Sequence, residues 1–401
     1  MPSEYTNIKM IDRNQTRFSF APGFHLCSRL LDADLTNDQS TSLNVMNVPI
    51  VKVSSSCSAC SDASPSSELV FVASQTEIPA CTSKWTEDTL SSLQIAVIKS
   101  ISYAPLDLLN SITKKDHIID TRVKKISEHL VKYMPFALKD LDGDFNSISY
   151  DRAVSFLYNA HGQEMQSFEV QPLSDSSEDM WRYTFRIHGQ MFAKKLIYMT
   201  LQKKEGNIVS EIMFQQLFEH FAAMFGLHSI SAPALTAQKI TIGSVTVKSA
   251  PDLIFYDLPN LENNDPKIFA ICKVKKECKH EEERSLPKTR RYEEGKRPAI
   301  THLNSSLTGQ HGGDLLTHFL SSKDSHHLLG FIIQETFVTF TLFTSRELDI
   351  DEIKRGDHSF PGGTEPTVKF SKPFNYLKAD DRLQLIEPLL KLGFHQCKCV
   401  N

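Results

Sequence analysis

Apolar residues along this chain follow two rhythms, and where one gives way to the other the chain divides. Residues 1–84 sustain neither. Short apolar runs alternate there with Ser, Thr, Asn and Asp clusters such as TNDQSTSLN and SSSCSACSDASPSSE, which are too polar to pack, so a disordered Ser-rich loop is expected from 33 to 67. After Trp85, TEDTLSSLQIAVIKSISYA begins with a capping signal. It carries Leu90, Leu93, Ile95, Val97, Ile98 and Ile101, which predict a buried helix. In DHIIDTRVKKISEHLVKYM, apolar residues from Ile119 to Val131 recur at spacings of three and four, the mark of a second helix. Residues 85–136 are expected to form a small helical subdomain. Residues 137–207 read as a connecting region without an assigned role; WRYTFRIHGQMFAKKLIYMTL alternates like a strand over Trp181, Tyr183 and Phe185 before an ambiguous apolar run.

From 208 the order is clearer. SEIMFQQLFEHFAAMFG places Phe214, Leu217, Phe218, Phe221 and Phe225 on one helical stripe, with Ser210 as N-cap and Gly226 as stop. KITI and VTVK flank Gly243-Ser244, a two-residue hairpin connection. Pro251-Asp252 then leads the strand LIFYDL, followed by a polar turn and the strand IFAICKVK. A helix around GQHGGDLLTHFLSS, strands GFIIQE and FVTFTLFT, and a last helix DDRLQLIEPLLKLG complete residues 208–401. The expected class is α+β or α/β: a mixed sheet flanked by helices, preceded by the helical region.

Composition adds limits. The formal charge of -4 excludes a uniformly basic coat for nucleic acid. No window is long and apolar enough to span a membrane, and the first residues lack a signal-peptide core, so an intracellular protein without a membrane partner is expected. Eight cysteines in 401 residues are too few for a disulfide scaffold, and thiols are expected. Cys57-Ser-Ala-Cys60 has half the spacing of a zinc site but no second pair; Cys397-Lys-Cys399 reads as incidental. His311 and the pair His326-His327 lack metal-cage spacing. There is no Gly-x-Ser-x-Gly elbow and no phosphate loop ending in Gly-Lys-Ser/Thr, which disfavours serine-hydrolase and nucleotide-driven chemistry.

Four pieces carry a resemblance: a helix bearing Glu211, the pair Pro251-Asp252 at a strand mouth, the strand Ile271-Cys272-Lys273-Val274-Lys275, and Gln310-His-Gly-Gly-Asp314 on the next helix. Over about 208–393 the chain resembles the PD-(D/E)XK nuclease superfamily, in particular the divergent restriction-endonuclease-like domains of Crinkler-type and mobile-element proteins. The resemblance implies a restriction-endonuclease-like sheet and hydrolysis of a nucleic-acid phosphodiester. Such chemistry uses one or two magnesium ions, held by convergent carboxylates, to neutralise phosphate and generate hydroxide. A strand-borne acid and lysine two residues apart share a face because side chains alternate. By resemblance Asp252 is the first acid, Lys275 the lysine, Glu211 the helix-borne acid, and Gln310 the helix glutamine.

The second acid is missing. With Lys275 as the motif lysine, Lys273 stands where the carboxylate belongs; with Lys273 as that lysine, Ile271 does. A singly charged ammonium about 4 Å from a divalent ion, at an effective dielectric of about 20, is repelled by roughly 8 kcal/mol. Either an acid has moved in or metal is no longer held in the family manner. Glu277 on the same strand face is the first replacement candidate, and Asp257, Glu262 and Asp265 are others. The metal set to test is Glu211, Asp252 and Glu277.

Between Lys273 and Arg297 ten Lys and Arg face six Glu. This basic run includes Lys276, Lys279, Arg290 and Arg291, which could line a phosphate backbone or form a solvated loop. The expected function is a nuclease-fold protein contacting nucleic acid, DNA first, with a degenerate or rearranged magnesium-dependent site. The alternatives are an active magnesium-dependent DNA endonuclease using a displaced acid, and a scaffold whose N-terminal region recruits a protein.

Overall fold

The computed structural model describes residues 77–99, 103–113, 117–133, 141–157, 176–235, 237–257, 266–276, 303–356 and 365–397. The expected loop at 33–67 lies outside them, as do Cys57 and Cys60. In chain order the elements are α1 (Glu87–Ser92), β1 (Ala96–Lys99), α2 (Pro105–Asn110), α3 (His117–Tyr133), α4 (Ser176–Lys204), α5 (Glu211–Ala223), β2 (Ile230–Ser231), β3 (Gln238–Ile242) and β4 (Val245–Ser249). They continue with β5 (Leu253–Tyr256), β6 (Ile268–Lys275), α6 (Ser305–His318), β7 (His327–Gln334), β8 (Phe337–Thr344), α7 (Glu347–Arg355), β9 (Thr367–Phe370), β10 (Phe374–Asn375) and α8 (Ala379–Cys397).

One mixed sheet runs in the order β1-β9-β8-β7-β6-β5-β2, with β10 paired to β8. β6 and β7 are parallel and joined by the crossover helix α6, as a parallel neighbour requires; β2-β5-β6 and β7-β8-β9 are antiparallel. Side-chain alternation sends Ala270, Cys272 and Val274 of β6 to one face and Ile271 to the other. The first face is buried beneath α2, α3, α4, α5 and α8, through residues such as Phe192, Phe218, Phe221 and Leu389. The second lies beneath α1, α6, α7 and the β3–β4 hairpin, through Trp85, Leu90, Leu315 and Ile350. Buried on both faces, the central strands read as nearly continuous apolar runs. The hairpin turns at Gly243, whose φ of 56° suits a residue without Cβ.

Two expected elements differ. The helix expected from Trp85 onward stops at Ser92; Gln94 adopts a left-handed φ of 54°, and Ala96–Lys99 is a strand paired in parallel with β9. Its β-branched Val97 and Ile98 suit the sheet better than a helix, where χ1 is crowded. The strand-like alternation around Phe185 belongs instead to the long helix α4. Its buried Phe185, Phe192, Leu196 and Met199 keep a helical period, and that longer pattern outweighs three alternating aromatics.

The segments drawn at 85–136 and 137–207 share the sheet's cores: Leu109, Val123, Phe185 and Leu196 all belong to the cluster that contains Val274 and Phe331. The nearer segment is pressed hardest onto α6. That helix is capped by Asn304, whose side chain accepts the Leu307 N–H at 2.7 Å. Its Gly309 and Gly313 leave room for the Thr86 main chain and the Trp85 ring.

Candidate functional site

The antiparallel register that sets Leu253 opposite Cys272 places Asp252 beside Lys273 across the strand pair. The Asp252 N–H donates to the Cys272 carbonyl at 3.0 Å and so extends the ladder by one residue. Asp252 Oδ2 accepts the Val274 N–H at 2.7 Å and lies 3.3 Å from Lys273 Nζ, with Oδ1 at 3.4 Å. Two residues along β6, Lys275 Nζ lies 3.6 Å from Oε1 of Glu211, at the first turn of α5. From the same helix, Gln215 makes a long 3.5 Å contact to the Asp252 carbonyl and a 3.2 Å bond to Glu219.

The strand pairing thus brings Asp252, Lys273, Lys275 and Glu211 together, but as two ion pairs. Asp252 is matched to Lys273 and Glu211 to Lys275. Lys276 follows at the end of β6, half-buried. Gln310 is on α6, also half-buried. Glu277, Lys279, Arg290 and Arg291, with Glu262 and Asp265, lie outside the described residues. Asp257 is drawn to the far end of β5, where it is buried and ion-paired with Lys323. His327 Nδ1 lies 3.3 Å from Asp324, and buried His311 shares a 2.8 Å hydrogen bond with Thr341 on β8.

The residue missed in the sequence is Asp314. It lies within the motif that drew attention to Gln310, yet its carboxyl is wholly buried beneath α6. Its Oδ1 accepts hydrogen bonds from Thr82 Oγ1 at 2.6 Å and Ser249 Oγ at 2.7 Å. Its carbonyl is 2.8 Å from Nδ1 of His318, one turn on. The available signal was a charged residue on the same helix face as Leu307, two turns earlier, among glycines that announce a close neighbour.

Electrostatics tie these groups together. Burial pulls the Lys273 ammonium towards deprotonation, but Asp314, Asp252 and Glu211 outweigh it, and its pKa ends above the ordinary lysine value. Burial pushes the Asp314 carboxyl above the usual carboxylate range, opposed by Lys273, the two hydroxyl donors and His318. His311 is lowered to about 3, by burial first and then by Lys273. Cys272, between the two strands' charges, has its thiol pushed well up by burial and then by Asp252 and Glu219.

Of the expected magnesium set only Glu211 and Asp252 are among the described residues, and each is ion-paired with a lysine. The position next to Asp252 is filled by an ammonium, and among the described residues no three His, Cys, Asp or Glu side chains converge to hold a metal. No family model, curated protein or solved structure matches the chain. Among the described residues no helix is long and apolar enough to cross a membrane, and Cys81, Cys272 and Cys397 are not joined in disulfides.

Proposed function

We propose that this is a nuclease-fold protein of the PD-(D/E)XK kind that contacts nucleic acid, DNA in the first instance, through a site that no longer hydrolyses phosphodiesters with magnesium. Support for the fold comes from the succession α5, β2, β5, β6, α6, β7. It gives antiparallel strands β2-β5-β6, then a helical crossover to a parallel β7. The observation that carries the functional reading is the cross-strand pair of Asp252 with Lys273, two residues before Lys275. In this reading Asp252 is the first acid and Lys275 the motif lysine, and Lys273 replaces the middle carboxylate by its opposite charge. Nucleic-acid contact is supported by Lys275 and Lys276 at the end of β6, which opens the basic run to Arg297.

The test is direct. With magnesium or manganese the full chain should leave plasmid and single-stranded DNA intact, while binding DNA with an affinity that falls steeply with salt, at a log–log slope of about 0.9 per duplex phosphate neutralised. Cleavage abolished by Asp252→Ala would refute the inactive site and favour a displaced acid. No binding at low salt would refute the nucleic-acid partner and favour a protein scaffold.

A further inference from the structure

We propose that the turn at 145–148 is a binding site for cations of the ammonium class, made of three main-chain carbonyls and one aromatic face, and that the chain fills it with the side chain of Lys203. None of these residues belongs to the site around Asp252, so the cradle stands or falls apart from the nucleic-acid reading.

Lys203 lies in the last turn of α4, where a cation suits the helix dipole. Its Nζ donates to the carbonyls of Phe145 at 2.8 Å, Ile148 at 2.8 Å and Asn146 at 3.2 Å, and stands 5.0 Å from the centre of the Phe145 ring. An ammonium has three donors, and here all of them end on uncharged oxygens. Among the described residues no carboxylate pairs with it, and burial draws its pKa below the ordinary lysine value. Its neighbour Lys204 behaves otherwise, pairing with Asp151 at 3.7 Å on the open surface.

The acids beside the turn are engaged elsewhere. Asp142 Oδ1 accepts the Ala379 N–H at 3.0 Å, at the start of α8. Asp144 Oδ1 accepts from Asn375 Nδ2 at 2.8 Å and lies 3.3 Å from Lys378. From α8, Arg382 donates to the Leu141 carbonyl at 2.6 Å, so this segment joins the C-terminus of α4 to the N-terminus of α8. The Asp144 carbonyl closes the turn by accepting the N–H groups of Ser147 at 2.8 Å and Ile148 at 3.2 Å. Phe145 is buried edge-on against Phe214, with ring centres 5.2 Å apart. The cradle is therefore shaped by contacts that do not involve the cation, which is the preorganisation a binding site needs. Its chemistry selects the ligand. Hard divalent ions favour carboxylate oxygens, whereas carbonyls with an aromatic face suit a singly charged hydrogen-bond donor. Removing the Lys203 stem would leave the same oxygens to a free alkylammonium ion.

Two measurements on the full chain test the assignment. In urea unfolding, Lys203→Ala should lower the folding equilibrium constant at least about tenfold, because hydrogen bonds from a charged donor are among the stronger ones. Propylammonium chloride should restore most of that loss, saturating with concentration as a ligand of the folded state does. Tetramethylammonium chloride at the same ionic strength donates no hydrogen bond and should restore none, and the unaltered chain should respond to the two salts alike. Equal rescue by both salts, or rescue by neither, would overturn the proposal. Should Lys203→Ala fail to fold in every salt, nuclear magnetic resonance of the unaltered chain with isotope-labelled lysine decides instead. The Lys203 ammonium, its protons held by carbonyls, should give a slowly exchanging signal at neutral pH that Lys203→Arg removes. Absence of that signal would show an ammonium loose in water and would likewise overturn the proposal.

Discussion

Asp314 shows how one residue can be plain in the sequence and unread. Its letter sits in a motif, but its meaning comes from Thr82 and Ser249, which are remote in sequence and within 2.7 Å in space. Hydrogen bonds to a buried carboxyl are strong because the alternative, an under-solvated oxygen, is expensive. Thr82→Val, which keeps the shape and removes the donor, should therefore lower stability by about 1–3 kcal/mol in urea unfolding. A neutral substitution would mean that Ser249 alone satisfies the group. Asp252 was legible because it follows a proline at a strand mouth and precedes a clear apolar run. Its pairing with Lys273 rather than Lys275 needed the register, which no single strand contains.

At the scale of elements, legibility followed the length and purity of each pattern. α5, β6, β7, β8 and the β3–β4 hairpin carry several turns or full alternations and were read correctly. β1 and β9 span four residues each and find their partners only across the chain, so local rhythm was too brief to show them. In α4, three alternating aromatics mimicked a strand over a stretch too short to reveal the helical period. α6 gives the sharpest mechanical prediction. A Cβ at Gly309 would fall on the main chain of Thr86, which cannot swing aside, whereas one at Gly312 would meet the flexible Leu90 side chain at 2.5 Å. Gly309→Ala should cost more than Gly312→Ala, with overpacking of about 1–3 kcal/mol for the first. Equal losses by denaturant titration would show that the Thr86 segment moves as a unit.

For the whole molecule, buried imidazoles set the response to acid. His188 is lowered to about 4 by burial, then by His228 and His220, and His311 to about 3. Unfolded, both titrate near 6.5, so the unfolded chain binds more protons below that pH. Their contribution is complete above about 6.5 and is lost as pH falls towards 4. Asp314 acts in the opposite sense, because its raised value favours the fold when protonated. Burial raises Glu219 in the same sense as Asp314, while it lowers His220 and His318 in the same sense as His188 and His311. The melting temperature should fall between pH 6.5 and 4, and His188→Asn should flatten that fall; an unchanged slope would assign the acid sensitivity elsewhere.

The parallel pairing of β1 with β9 bears on how the chain is made. Ala96 leaves the ribosome well before its partner Thr367, with the whole of β2 to β8 synthesised in between. That edge of the sheet cannot close until β9 has been made. In that interval the apolar Val97 and Ile98 must wait without their neighbour, a reason for nascent chains of this protein to lean on chaperones.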